Sequence, residues 1–137
     1  MKLECTCVTG RAIPLEQRYL HEVDETSYLP LKVGDSYTAF AMMMIKNRMD
    51  VLVCAENGNP LWAPVSLFSV SDASISRRWH FRTTRYDDAY GVLWATFEIT
   101  VLFGYPRLVD DFAHYVGVVE GNENELRRFY VERDYQA

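Results

Sequence analysis

The strongest constraint on how this chain can fold is the turn Glu56-Asn57-Gly58-Asn59-Pro60. Asn-Gly supplies the positive φ angles that a tight hairpin needs, and apolar runs stand on both sides of it. Val51–Ala55 leads into the turn and Leu61–Ala63 leaves it. Upstream, Ser36–Ile45 is long and apolar, and the polar turn Lys46-Asn47-Arg48-Met49-Asp50 separates it from Val51. The pattern predicts consecutive hairpins. Leu67–Ser71, Trp79–Thr84 and Ala95–Phe103 read as further strands. In Trp79-His80-Phe81-Arg82 aromatic residues alternate with polar ones, as on a half-buried strand. Phe97, Ile99 and Val101 likewise share one face of their strand. Trp62, Trp79 and Phe81 are expected in the core. At the start of the chain, Leu3–Val8 reads as an opening strand that Gly10-Arg11 and Pro14 break. Leu15–Asp24 carries helix signals, with Leu15, Tyr19, Leu20 and Val23 near one helical face.

Strands give way to helices at Gly104-Tyr105-Pro106. Pro106 suits the first turn of a helix over Arg107–Tyr115. Asn122 is the expected N-cap of a second helix, Glu123–Arg133, with Glu125 three residues on as in a capping box. Leu126, Phe129 and Tyr130 form its apolar stripe. The expected architecture is therefore α+β: a curved, mainly antiparallel sheet or half-open barrel with helices mostly at the C-terminal end. No repeat, low-complexity tract or linker divides residues 1–137, which read as one domain. A chain of that length buries roughly two-thirds of its unfolded surface.

Composition excludes several functions. Hydrophobic residues make up 49% and charged residues 24%, which is not the balance of a disordered chain. The net charge of −5 argues against a direct nucleic-acid binder or an anionic-membrane binder, both of which need basic patches. The longest apolar runs, Ala39–Ile45 and Val51–Ala55, fall far short of the ~20 residues that span a bilayer. No apolar segment follows a charged start, so no signal peptide is expected. Three cysteines is an odd number, and Cys5-x-Cys7 is too closely spaced for an easy disulfide. Free thiols in a reducing compartment follow, and with them a cytoplasmic location.

Chemistry-bearing motifs are scarce. There is no Gly-rich phosphate loop, no GxSxG elbow and no HExxH. His21, His80 and His114 are isolated from one another, and Cys5, Cys7 and His21 lack any zinc-ligand spacing. No metal and no cofactor are therefore expected. Cys54, between Val53 and Ala55, reads as a small core residue without a helix start or cation to activate it. The pairs Asp87-Asp88 and Asp110-Asp111 could serve glycoside hydrolysis or a divalent metal. Adjacent carboxylates more often face water, so no catalytic residue is assigned and a non-enzymatic protein is expected.

Charge is unevenly spread. Residues 1–31 carry a net −2, residues 32–85 a net +3 and residues 86–137 a net −6. A solvated acidic face is the plainer account of the last segment. The functional account is a surface that captures a basic partner, because complementary charge speeds encounter and rejects wrong partners. Tyr86, Asp87, Asp88 and Tyr90 on one loop, with Asp110 and Asp111 on the following helix, are the candidate partner-binding residues. Tyr contributes large contact area at low entropic cost, which makes the loop's two tyrosines suitable anchors.

A resemblance extends this account. Gly34-Asp35-Ser36-Tyr37 leads into the long apolar strand, followed by Asn57-Gly58-Asn59-Pro60-Leu61-Trp62-Ala63-Pro64-Val65 and Leu67-Phe68-Ser69-Val70-Ser71-Asp72. Then come Trp79-His80-Phe81 and Phe103-Gly104-Tyr105. This order of turns and core aromatics, over residues 34–105, resembles small bacterial immunity proteins of contact-dependent growth inhibition and related polymorphic toxin systems. The resemblance implies a non-catalytic inhibitor that binds a cognate protein toxin domain in the cytosol. It carries over no site residue. The toxin is expected to be a nuclease and basic, since it grips phosphates. Two alternatives stay open: a small-molecule or peptide-binding β-barrel module, and a hydrolase with an unrecognised site.

Overall fold

A computed structural model describes residues 1–19 and 21–136. Its architecture is α+β, with helices mostly C-terminal. The strands are β1 (Lys2–Cys5), β2 (Ser36–Thr38), β3 (Ala41–Ile45), β4 (Arg48–Cys54), β5 (Pro60–Pro64), β6 (Phe68–Asp72), β7 (His80–Thr83) and β8 (Ile99–Gly104). They form two antiparallel sheets, a three-stranded one in the order β2-β1-β6 and a five-stranded one in the order β5-β4-β3-β8-β7. The sheets do not close into a barrel. Four α-helices follow or interrupt them: α1 (Gly91–Phe97), α2 (Pro106–Asp110), α3 (Phe112–Glu120) and α4 (Glu123–Gln136).

The central strands of the five-stranded sheet are covered on both faces. Alternate residues of β4 serve different cores: Val51 and Val53 pack with Leu3, Tyr37 and Phe68 of the small sheet, while Leu52 packs with the helices. β3 divides the same way, Met42 toward the small sheet and Ala41 and Met43 toward the helical layer. On the helical side Leu93 of α1, Leu108 of α2, Tyr115 of α3 and Phe129 of α4 complete the core. A strand buried on both faces has no reason to alternate apolar with polar residues. That is why Ala39–Ile45 and Val51–Ala55 are unbroken apolar runs. The turn between β4 and β5 forms where Asn57-Gly58 predicts it: Gly58 has φ +84°, and its N–H donates to the Ala55 carbonyl at 2.9 Å.

Four local expectations are corrected. Ala95–Phe103 is not one strand, because Ala95, Thr96 and Phe97 end α1 and Glu98 turns into the left-handed region at φ +57° before β8 begins. Leu93 draws α1 onto the helical core, so packing overrides the apparent alternation. Leu15–Asp24 forms only a single 3-10 turn at Leu15–Gln17; Leu20 lies outside the described residues. Side-chain bonds replace the helix there. Glu22 accepts from the Tyr19 N–H at 2.7 Å, from the Tyr28 hydroxyl at 2.5 Å and from Arg48 at 2.6 Å. The expected helix Arg107–Tyr115 is two helices, broken at Asp111, whose extended backbone and carboxylate cap α3 by accepting from the His114 N–H at 3.3 Å. Phe81 is not in the core: it is 62% exposed, whereas Trp79 is 8% exposed and packs edge-to-face on Phe103 at 5.1 Å. Trp62 is partly buried against the helical core.

The expected N-cap of α4 is present, with Asn122 Oδ1 accepting from the N–H groups of Asn124 and Glu125 at 3.0 and 3.2 Å. No helix is long and apolar enough to cross a membrane among the described residues.

The contrast between the two neighbours on the β7 segment is measurable. Trp79→Ala should cost about 3–5 kcal/mol in denaturant unfolding, as for a large core side chain, while Phe81→Ala should stay within about 1 kcal/mol of the parent. Equal losses in the two variants would contradict this division between core and surface.

Candidate functional site

The carboxylate- and tyrosine-bearing loop follows β7, an edge strand that pairs with β8 and, among the described residues, with no other strand. Thr84 fixes its start: the N–H donates to the Thr100 carbonyl at 3.1 Å and the buried hydroxyl donates to the Ile99 carbonyl at 2.5 Å. Asp87 then winds the loop around itself. One carboxylate oxygen accepts from the Ala89 and Tyr90 N–H groups at 3.0 and 2.8 Å, and its carbonyl accepts from the Gly91 N–H, which starts α1. The Tyr90 N–H, with Arg82 beside it, holds the Asp87 carboxyl below the usual carboxylate range.

Arg82 is the residue that sequence reasoning missed. Its guanidinium donates to the Val109 carbonyl at 2.6 Å and to Asp87 at 2.5 Å, lies 3.6 Å from Asp110, and sits over the Tyr90 ring at 4.9 Å. One side chain from β7 thus ties the loop residues Asp87 and Tyr90 to Asp110, twenty residues beyond Tyr90 along the chain. The only sequence signal is its place beside the aromatic residues of a polar-apolar strand. His80, two residues earlier on the same strand, contacts Asp110 through Nδ1 at 2.6 Å.

These bonds sort the six candidates. Tyr90 is not a surface anchor, a correction to the sequence expectation: it is 2% exposed, its hydroxyl donates to the Leu108 carbonyl at 2.7 Å, and its ring packs against Phe112. Asp87 is committed to the loop and to Arg82. Asp110 ends α2, half-exposed, shared between His80 and Arg82. Asp111 caps α3 and lies 3.8 Å from Arg107. Asp88 is exposed and makes no hydrogen bond or ion pair among the described residues. Tyr86 is 89% exposed, with the Arg85 guanidinium 5.4 Å from its ring centroid. Phe81, Arg82, Thr83, Tyr86 and Asp87 line a shallow depression of about 380 Å³. Phe81 and Tyr86 thus reach solvent around Asp87, while Asp88 is exposed on the same loop and Asp110 lies on the His80–Arg82 face of β7.

A second cluster has the order of a catalytic triad but not its access. Tyr105 hydroxyl and His114 Nε2 are 2.8 Å apart, and His114 Nδ1 lies 2.9 Å from Glu125. Both Tyr105 and His114 are fully buried, so no substrate can meet the hydroxyl. The neutral imidazole satisfies every group: Nδ1–H donates to Glu125 and Nε2 accepts from Tyr105. Gly117 makes room for this bond, because a Cβ there would come within 2.3 Å of the Glu125 Cγ. Arg128 reaches Glu125 from the solvent side. The cluster joins α3 to α4.

The cysteines are all free thiols. Burial pushes the Cys5 thiol up, while bonds to Thr9 draw Cys7 down. Cys54 is half-buried, and, contrary to expectation, a cation stands near it: Arg133 of α4 lies 3.8 Å from its sulfur. That neighbour comes from 79 residues away, which sequence proximity could not reveal. Among the described residues no three His, Cys, Asp or Glu side chains cluster as a metal site would require.

Compared with known proteins, the chain matches no protein-family model, no curated protein and no solved structure.

The buried histidine makes stability depend on pH. Burial holds the His114 imidazolium form at a disadvantage, so its pKa is lower folded than unfolded. The unfolded chain therefore binds the proton more tightly, and this contribution is complete above the ordinary value of about 6.5 and lost as pH falls. His114→Gln should be less stable than the parent at neutral pH and should lose less stability on acidification to about pH 5. Parallel pH profiles for parent and variant, measured by urea unfolding, would contradict the assignment.

Proposed function

We propose that this chain is a non-catalytic binding protein of the immunity type, which neutralises a cognate toxin domain in the cytosol by covering it. Its partner-facing surface is the edge of the five-stranded sheet around Phe81, Tyr86, Asp88 and Asp110. One observation carries this reading: two large aromatic rings, Phe81 on β7 and Tyr86 on the loop after it, stand in solvent around Asp87, whose bonds to Arg82 and to the Ala89 and Tyr90 N–H groups order the loop. Exposed aromatic side chains on a pre-ordered loop lose little entropy when a partner covers them, and such rings supply most binding energy in typical interfaces. The three free thiols are at ease in a reducing cytosol.

Electrostatics plays a narrower part than the −6 balance of residues 86–137 suggests. Arg82 already pairs with Asp87 and lies 3.6 Å from Asp110, which offsets part of their charge. Steering of a basic nuclease toxin then rests on Asp88, with the net negative charge of the chain behind it.

The experiment is co-expression with a candidate toxin domain, sought first in the reading frame next to this one, scored by cell survival and by binding kinetics. Tyr86→Ala should weaken binding by about 2 kcal/mol or more, mainly through faster dissociation. Asp88→Lys should lower the association rate and flatten its salt dependence while leaving dissociation nearly unchanged. Both variants keep the fold, since neither side chain is buried or bonded. Full protection and unaltered kinetics in both would overturn the placement of the surface, and turnover of nucleic acid or ester by the purified protein would overturn the non-catalytic reading.

A further inference from the structure

The helical layer leaves part of the five-stranded sheet uncovered. A groove of about 450 Å³ runs between α1 and α3, floored by Met43 and Ile45 of β3, Trp62 of β5 and Ile99 of β8. Val92 and Phe97 of α1 and Val119 of α3 stand half-exposed around it. The volume lies in the range of about 300–1,000 Å³ common to small-molecule sites, and the lining is almost wholly apolar.

Its polar groups are few and of two kinds. Two are neutral donors without acceptors. Tyr115 is 5% exposed and lines the groove, yet its hydroxyl has no hydrogen-bond partner among the described residues, unlike those of Tyr90 and Tyr105. Burial alone accounts for its raised pKa of about 12. Trp62 Nε1 is buried with no acceptor. The other two are carboxylates: Asp50, whose two oxygens are both spent on Arg48, and Glu120. Trp62 Nε1 is the one buried donor of this lining without an acceptor, and the Tyr115 hydroxyl stands in the groove wall with no partner from the described residues, open to an acceptor on a ligand. Arg48 offsets the charge of Asp50, which leaves Glu120 as the carboxylate of the lining unpaired among the described residues, and it disfavours an anionic headgroup there.

We propose that this groove is a binding site for a neutral, mostly apolar small molecule that carries a hydrogen-bond acceptor such as a carbonyl oxygen. The apolar body covers Met43, Ile99 and Val119, and the acceptor takes the Tyr115 hydroxyl. The site is separate from the Phe81–Tyr86 surface and does not rest on the function proposed for it.

The test is a fluorescence titration of the intact protein with neutral N-phenylnaphthylamine, followed by competition. One-site saturation is expected, with displacement by a long-chain methyl ketone and not by the fatty acid of the same chain length. Tyr115→Phe removes the hydroxyl at nearly constant volume; it should weaken the ketone about three- to tenfold while leaving the dye, which has no carbonyl, within about twofold. Val119→Trp narrows the groove from its exposed rim and should weaken both. Absence of saturable dye binding, displacement by the fatty acid as readily as by the ketone, or an unchanged ketone affinity in Tyr115→Phe would each overturn the proposal. Should Val119→Trp disturb folding by circular dichroism, the Tyr115→Phe comparison decides alone.

Discussion

Burial of β4 on both faces is the constraint on which the rest of the structure depends. Val51, Leu52 and Val53 are all fully buried, yet they point by turns into two separate cores. Each such side chain contributes roughly 1.5–3 kcal/mol relative to exposure. More important is what the alternation couples. The small sheet covers the side of Val51 and Val53, and the helices cover the side of Leu52, so loss of either layer exposes one face of the same strand. A slip of one residue in the β3–β4 pairing would exchange the two sets and mispack both cores.

Around that sheet, two arginines organise what regular secondary structure does not. Arg48 is buried and charged, bonded to Asp50 on its own strand and to Glu22 and the Gln17 carbonyl on the irregular segment before β2. Although burial works against ionisation of Glu22, bonds from Arg48, the Tyr19 N–H and Tyr28 hold its carboxyl below the usual range. Arg82 does the corresponding work at the edge of the five-stranded sheet, joining β7, α2 and the loop that carries Tyr86 and Asp88. The planar guanidinium suits both places because it can donate in several directions at once without losing charge. The exposed rings of the candidate surface are thus mounted on a support that is polar, local and rigid.

The parts of this arrangement that can be read in sequence are those set by local rules. Asn57-Gly58 marks the β4–β5 turn through its positive φ, Asn122 marks the start of α4 through its cap, and unbroken apolar runs mark the central strands. The rest was hidden because it depends on contacts distant in sequence. Phe97, Ile99 and Val101 look like one face of a strand, but Leu93 belongs to the helical core and pulls Ala95–Phe97 into α1. Leu15–Asp24 has a helical pattern that the bonds of Glu22, Arg18 and Arg48 override. At the candidate site, Tyr86 and Asp88 keep the exposure that a loop suggests. Tyr90 does not, because the Leu108 carbonyl and Phe112 reach it from across the fold. The groove between α1 and α3 has no sequence signature, since six elements supply its lining.

Native-state hydrogen exchange measures the coupling directly. If the doubly covered sheet makes one cooperative unit, amides of Leu3 in β1, Leu52 in β4, Leu102 in β8 and Phe129 in α4 should exchange with a common free energy equal to that of global unfolding. The loop of Tyr86 and Asp88 should open at lower cost. If β1-β2-β6 or the C-terminal helices exchange through their own, weaker openings while β4 stays protected, the two cores are independent and the account is wrong.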